Sequence, residues 1–148
     1  MSPLAENDGA LQQRSSQVEG GRLARLATDN GARRILVVDD DADWREFLRL
    51  SLEDLGYETT EASDGQEALE TLRRGGRYGV MLLDLNMPGM SGLEVVEHLP
   101  RGPHPRIVFL TSAAAQDVGS ALLSGPHYYL PKGASRDQLS LLLQSLGE

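Results

Sequence analysis

The chain has 148 residues, 40% of them hydrophobic, with one tryptophan and no cysteine, which suits one domain with an adequate core and some excess at an end, and leaves no role for disulfides. A net charge of -8 and a pI near 4.8 argue against nonspecific nucleic-acid binding, which needs a basic surface. No apolar run approaches the length of a membrane span, and the polar N-terminus lacks the basic and hydrophobic parts of a signal peptide, so the sequence reads as cytoplasmic, with no membrane and no direct nucleic-acid partner. Residues 1–32 have little hydrophobic periodicity and contain the Gly20-Gly21 break. They read as an N-terminal tail or linker, with 33–148 as the folded domain. A short helix over Leu23–Ala27, tinted basic by Arg22, Arg25, Arg33 and Arg34, would instead make a docking arm.

Ile35 to Asp41, ILVVDDD, is an apolar strand that opens into three carboxylates. Trp44, Phe47, Leu48, Ser51, Leu52 and Leu55 then recur at helical spacing, predicting a helix over Ala42–Leu55 that Gly56 ends. Tyr57–Ala62 reads as a weaker strand. Ser63, Asp64 and Gly65 turn the chain into a helix over Gln66–Arg74, closed by Gly75 and Gly76. Val80 to Leu83 suit a strand buried on both faces, which ends in Asp84 and turns at once through Asn86, Pro88, Gly89 and Gly92. Ser91 and Glu94 have capping-box spacing and start a helix running to about Leu99. Beyond the Pro100–Pro105 loop, Arg106–Ser112 is another buried strand, ending in hydroxyls. A short helix over Gln116–Leu123, weakened by Gly119, precedes a last strand at Tyr128–Leu130. Ser135 and Gln138 repeat the capping-box spacing, and Leu139, Leu142, Leu143 and Leu146 line the core face of the final helix, leaving Leu141 on the other face. Five strands alternating with five helices predict an α/β fold: a doubly wound five-stranded parallel sheet of order 2-1-3-4-5, flavodoxin-like (βα)5, with helices on both faces.

A parallel sheet of that order brings the strand ends to one edge, where open α/β sheets bind ligands. The first strand supplies Asp39 and Asp40, the third Asp84, the fourth Thr111 and Ser112, and the fifth Lys132. Asp84 could merely turn the chain or cap the next helix. The convergence of three acids argues otherwise, because like charges that close repel strongly unless a cation joins them. Asp41 and Asp43 instead suit capping of the first helix. Oxygen ligands without histidine or cysteine select Mg²⁺, usually completed by a phosphate. Lys132 is the single lysine beside thirteen arginines. At a strand end facing the acids, it suits a phosphate oxygen as a point charge; the alternative is an ordinary exposed lysine.

Taken together, ILVVDDD, the Asp84 strand with NMPGMSG, FLTS and YYLPK resemble the receiver (CheY-like) domain of two-component response regulators, over about Arg33 to Leu146. The resemblance implies a phospho-accepting domain of a two-component signalling or phosphorelay system, phosphorylated on Asp84 by a sensor histidine kinase or a histidine phosphotransfer protein. It implies Mg²⁺ on Asp40, Asp84 and the backbone carbonyl of Asn86, with Asp39 acting through water. Thr111 and Lys132 would hold phosphoryl oxygens, with Met87 and Ser112 also in phosphate binding. Thr111 and Tyr129 match the family's switch pair. The family commonly has a proline directly after the lysine, across a cis bond, whereas here Pro131 precedes Lys132 and Gly133 follows. His98, His104 and His127 lie outside these motifs, so the donor phosphohistidine is expected on another protein. The expected output is a changed binding surface on the helix over 116–123, the last strand and the final helix, for an effector protein or a homodimer. Neither an output domain in this chain nor a dedicated enzyme is expected. The alternatives are an Mg²⁺-dependent phosphohydrolase with an aspartyl nucleophile, which usually has a second acid where Asn86 stands, and a degenerate receiver that binds partners without phosphorylation.

Overall fold

Why the acids meet at one edge is visible in the computed structural model, which describes residues 33–112 and 128–146. Five strands, β1 (Arg34–Val38), β2 (Glu58–Ala62), β3 (Val80–Asp84), β4 (Arg106–Thr111) and β5 (Tyr128–Pro131), form one parallel sheet of order β2-β1-β3-β4-β5. Alternate residues of the three inner strands feed two cores, as strands buried on both faces must. Ile35, Val37, Val80, Leu82, Val108 and Leu110 share one cluster with Leu48 and Leu52 of α1 (Ala42–Asp54). The inward leucines of the C-terminal helix α4 (Arg136–Leu146), Leu139, Leu143 and Leu146, join the same cluster. Leu36, Val38, Met81, Leu83, Ile107 and Phe109 pack on the other face against Ala68 and Leu69 of α2 (Gly65–Arg73) and Val95 of α3 (Gly92–Glu97). Trp44 is a core residue, half-buried and stacked on Phe47 with ring centroids 5.0 Å apart.

Element ends differ from the periodicity by a residue or two, for local reasons. At the end of α1 the amide of Tyr57 donates to Leu52 O and that of Gly56 to Glu53 O, with Gly56 at φ 97. This Schellman closure uses the Tyr57 amide, and β2 starts one residue later than expected. Asp64 is the N-cap of α2 and accepts from the Glu67 amide, so the helix begins at Gly65. α3 stops at Glu97, not near Leu99, because Pro100 disfavours helical backbone at the residue before it. Both capping boxes form: Ser91 with Glu94, and Ser135 with Gln138. The expected helix over 116–123, His127 and the expected tail over 1–32 lie outside the described residues. Among the described residues no helix is long and apolar enough to cross a membrane.

Candidate functional site

Three carboxylates meet at the carboxyl edge of the sheet. Asp39 follows β1, where its amide donates to Ala62 O of β2, and it is fully buried. Asp84 ends β3 and is 2% exposed. Asp40, one residue on, faces solvent. Carboxylate oxygens of the three lie within 4.8 Å of one another.

Lys132 reaches this cluster from the far edge. Its amide donates to Thr111 O at 2.7 Å, extending the β4–β5 pairing past Pro131. The amide of Ala134 donates to Pro131 O, and Gly133 takes φ 93, the positive value that the third position of a type II turn requires. Among the described residues no peptide bond is cis. The tight turn delivers the ammonium between the two buried acids, 3.0 Å from Asp84 Oδ2 and 3.1 Å from Asp39 Oδ1. Asp84 Oδ1 accepts from the Asn86 amide, and Asp39 Oδ1 also accepts from the Asp41 amide. Asp39 Oδ2 lies 3.0 Å from the ammonium yet is buried without a hydrogen bond of its own.

Within this cluster of described residues, Asp39, Asp40, Asp84 and Lys132, the charges do not balance. Burial pushes the Asp84 carboxyl up to about 6 from 3.8, against the pull of the Asn86 amide and Lys132, and the Asp39 charge adds to the rise. Burial would lower the Lys132 ammonium, but the hydrogen bonds and charges of Asp39 and Asp84 outweigh it and hold the group above its ordinary value. Three carboxylates against one ammonium leave two negative charges when all are ionised. That remainder, the all-oxygen donor set, the unbonded Asp39 Oδ2 and the solvent-facing Asp40 fit a hard divalent cation.

The other expected site residues lie around this centre. Thr111 is half-buried at the end of β4, and Ser112 is exposed beside it. Asn86 is exposed, whereas Met87 is 7% exposed and belongs to the core cluster on the α2–α3 face, so its side chain is not on the acid edge. Tyr129 packs toward that same face, its ring 5.8 Å from that of Phe109. Its hydroxyl is buried with no hydrogen-bond partner among the described residues, and burial pushes the phenol up. Sequence reasoning missed two residues. Arg45 donates from Nη1 to Asp39 O at 2.6 Å, and Gly92 lies so close to β3 that a Cβ there would stand 2.5 Å from Asp84 O. Both had weak signals: an arginine four residues after the Asp41 cap, and a glycine at the first position of a helix.

Residues 35–144 match the response regulator receiver domain family. The transcriptional regulatory protein YrkP of Bacillus subtilis (strain 168), described as uncharacterized, is 38% identical over 109 residues, covering 73% of this chain and 46% of YrkP. The DNA-binding response regulator MtrA of Mycobacterium tuberculosis (strain H37Rv) is 40% identical over 105 residues, covering 70% of this chain and 46% of MtrA. The chain thus spans about half the length of these curated relatives. The solved structure of chemotaxis protein CheY4 from Vibrio cholerae superposes with a TM-score of 0.64 at 29% identity, over 76% of this chain and 97% of CheY4.

Proposed function

The chain belongs to the response regulator receiver domain family of two-component signalling, and from that premise we propose that it accepts a phosphoryl group on Asp84 from a sensor histidine kinase or histidine phosphotransfer protein. The single observation that carries this reading is the buried Asp84 paired to Lys132 beside Asp39 and Asp40. A carboxylate oxygen of Asp84 forms the new O–P bond as the P–N bond to the donor histidine breaks, and the imidazole nitrogen keeps the electron pair. Asp84 is already ionised at neutral pH, so no general base has to activate it. Phosphoryl transfer asks for in-line positioning and charge neutralisation. Lys132 would shift its ammonium onto a phosphoryl oxygen, with the Thr111 hydroxyl, Ser112 and the backbone of Met87 completing the binding of the others. Asp40, Asp84 and the Asn86 backbone carbonyl would hold Mg²⁺, with Asp39 acting through water. When bound, this cation would neutralise charge on the phosphoryl oxygens.

The output would be a changed surface on residues 116–123, β5 and α4, triggered by Thr111 and Tyr129, for an effector protein or a second copy of the chain. Leu141 on α4 is 66% exposed and Tyr128 on β5 40%, which supports a contact face there. The domain would act in the cytoplasm as a switch, not as a dedicated enzyme.

Intact mass after incubation with acetyl phosphate or phosphoramidate and Mg²⁺ tests the reading. One phosphoryl adduct is expected in the wild type and none in Asp84→Asn. An undiminished adduct in that variant, or the same yield in excess EDTA, overturns the assignment. Steady phosphate release from a range of phosphomonoesters would identify a hydrolase instead.

A further inference from the structure

The loop that carries the acids, Asp39-Asp40-Asp41, is tied through its first and last residues. The Asp39 amide donates to Ala62 O, the Asp41 amide to Asp39 Oδ1, and the Asp41 carboxylate caps α1 through the amides of Asp43 and Trp44. Asp41 O accepts from the Arg45 amide. The Asp39 carbonyl is held differently, by the guanidinium of Arg45 at 2.6 Å. That carbonyl belongs to the peptide unit leading into Asp40, so whatever fixes its direction also fixes where Asp40 projects its carboxylate. We propose that Arg45 is a positioning residue for the cation site, holding the Asp39–Asp40 peptide so that the solvent-facing Asp40 carboxylate enters the acid cluster. This inference rests on the receiver reading of that cluster.

Only an arginine fits the arrangement. While Nη1 serves the carbonyl, Nε lies 3.1 Å from Glu61 Oε1 on β2, and the side chain is 18% exposed. A guanidinium is a rigid planar fork with donors in several directions, whereas lysine ends in one ammonium on a flexible stem. Glu61 is itself held on its second oxygen by Arg49 Nε at 3.2 Å, and Arg49 also reaches Glu53. The chain Asp39 O, Arg45, Glu61, Arg49 thus braces the acid loop against β2 and α1. Groups that orient metal ligands from one layer out typically change metal affinity by about 10–100-fold when removed.

The sign of the effect separates positioning from charge. Arg45 places a positive charge beside a site for a cation, so an effect of charge alone would make Mg²⁺ bind more tightly when Arg45 is neutralised. Positioning predicts the opposite. Mg²⁺ affinity is measured by titration calorimetry at a temperature where each variant is fully folded by thermal melt. Arg45→Met is expected to weaken Mg²⁺ about tenfold, and Arg45→Lys, which keeps the charge, is expected to weaken it also. Arg106→Met, at an exposed arginine that starts β4 and so lies at the sheet edge opposite the acids, is expected to stay within about twofold of wild type, as for an ordinary surface change. Wild-type affinity or tighter in Arg45→Met overturns the inference. If Arg45→Met does not fold, wild-type affinity in Arg45→Lys overturns it equally. Loss of Mg²⁺ binding by the wild type itself would overturn the receiver reading and this inference with it, a result distinct from a wild type that binds and variants that match it.

Discussion

Asp84 is a charge held where it destabilises the fold. Burial is the largest reason its carboxyl sits at about 6 against 3.8, with the Asn86 amide and Lys132 pulling it down and Asp39 pushing it up. A folded pKa above the unfolded one means that the folded state binds this proton more tightly. The resulting stabilisation is fully present below about pH 3.8 and is lost as pH rises through 6. At neutral pH the metal-free domain therefore carries an ionised Asp84 at a cost. Asp84→Asn keeps an oxygen for the Asn86 amide and removes the charge, so the metal-free variant is expected to be more stable than wild type at pH 7.5, by on the order of 1 kcal/mol. That advantage should shrink toward pH 4. Urea midpoints at the two pH values check it, and a variant no more stable than wild type at pH 7.5 would show that Lys132 already compensates the charge in full.

At the scale of the element, the segment from β3 to α3 is shaped by a close approach. The Gly92 amide donates to Leu85 O at 3.0 Å, folding the helix start back onto the end of β3. A Cβ at Gly92 would lie 2.5 Å from Asp84 O and 3.0 Å from Leu85 Cα, both backbone atoms that cannot swing aside as a side chain does. Gly92→Ala must therefore push α3 away from the strand end that bears Asp84, an overpacking expected to cost about 1–3 kcal/mol. It is also expected to slow phosphorylation by acetyl phosphate. Gly89 in the same loop offers a contrast, since it has φ 81 but nothing within 4 Å of the added Cβ. Gly89→Ala should lose about 1–2 kcal/mol to left-handed backbone strain and keep the phosphorylation rate. If the two variants phosphorylate equally fast, the Gly92 approach does not position Asp84.

For the whole molecule the question is how the acid edge communicates with a surface. Thr111 lies between them: its backbone carbonyl accepts from the Lys132 amide, and β4 pairs with β5, where Phe109 faces Tyr129. Tyr129 already stacks on Phe109, and its buried hydroxyl has no hydrogen-bond partner among the described residues, an arrangement that leaves a polar group at a cost. If Tyr129 is the switch residue of the proposed function, a few kcal/mol of differential contact would be enough to shift it to a second position. Amide exchange with and without the phosphate mimic beryllofluoride is expected to change protection in β5 and α4 as well as around Asp39, Asp40 and Asp84. Changes confined to the three acids would remove Tyr129 from the switch.

Among the described residues, amino-acid order alone determined the elements to within a residue or two, because burial and capping patterns are local, and their alternation pointed to the sheet order. Apolar runs such as Val80–Leu83 bury on two faces, Ser91 and Ser135 start helices through partners three residues on, and alternating strands and helices of these lengths close with one handedness. It also brought Asp39, Asp40, Asp84 and Lys132 to one edge as a consequence of topology. The resemblance assigned Asp39 and Asp40 different roles, but their burial was not legible in the run of three aspartates, and only the packing makes Asp39 fully buried and Asp40 exposed. Nor did amino-acid order reveal that Lys132 bridges an acid 93 residues away, that Arg45 holds a backbone carbonyl, or that Gly92 abuts Asp84. Those contacts are decided in tertiary structure because burial, charge and close approach depend on neighbours remote along the chain, and a local pattern carries no record of which atom a long side chain will meet.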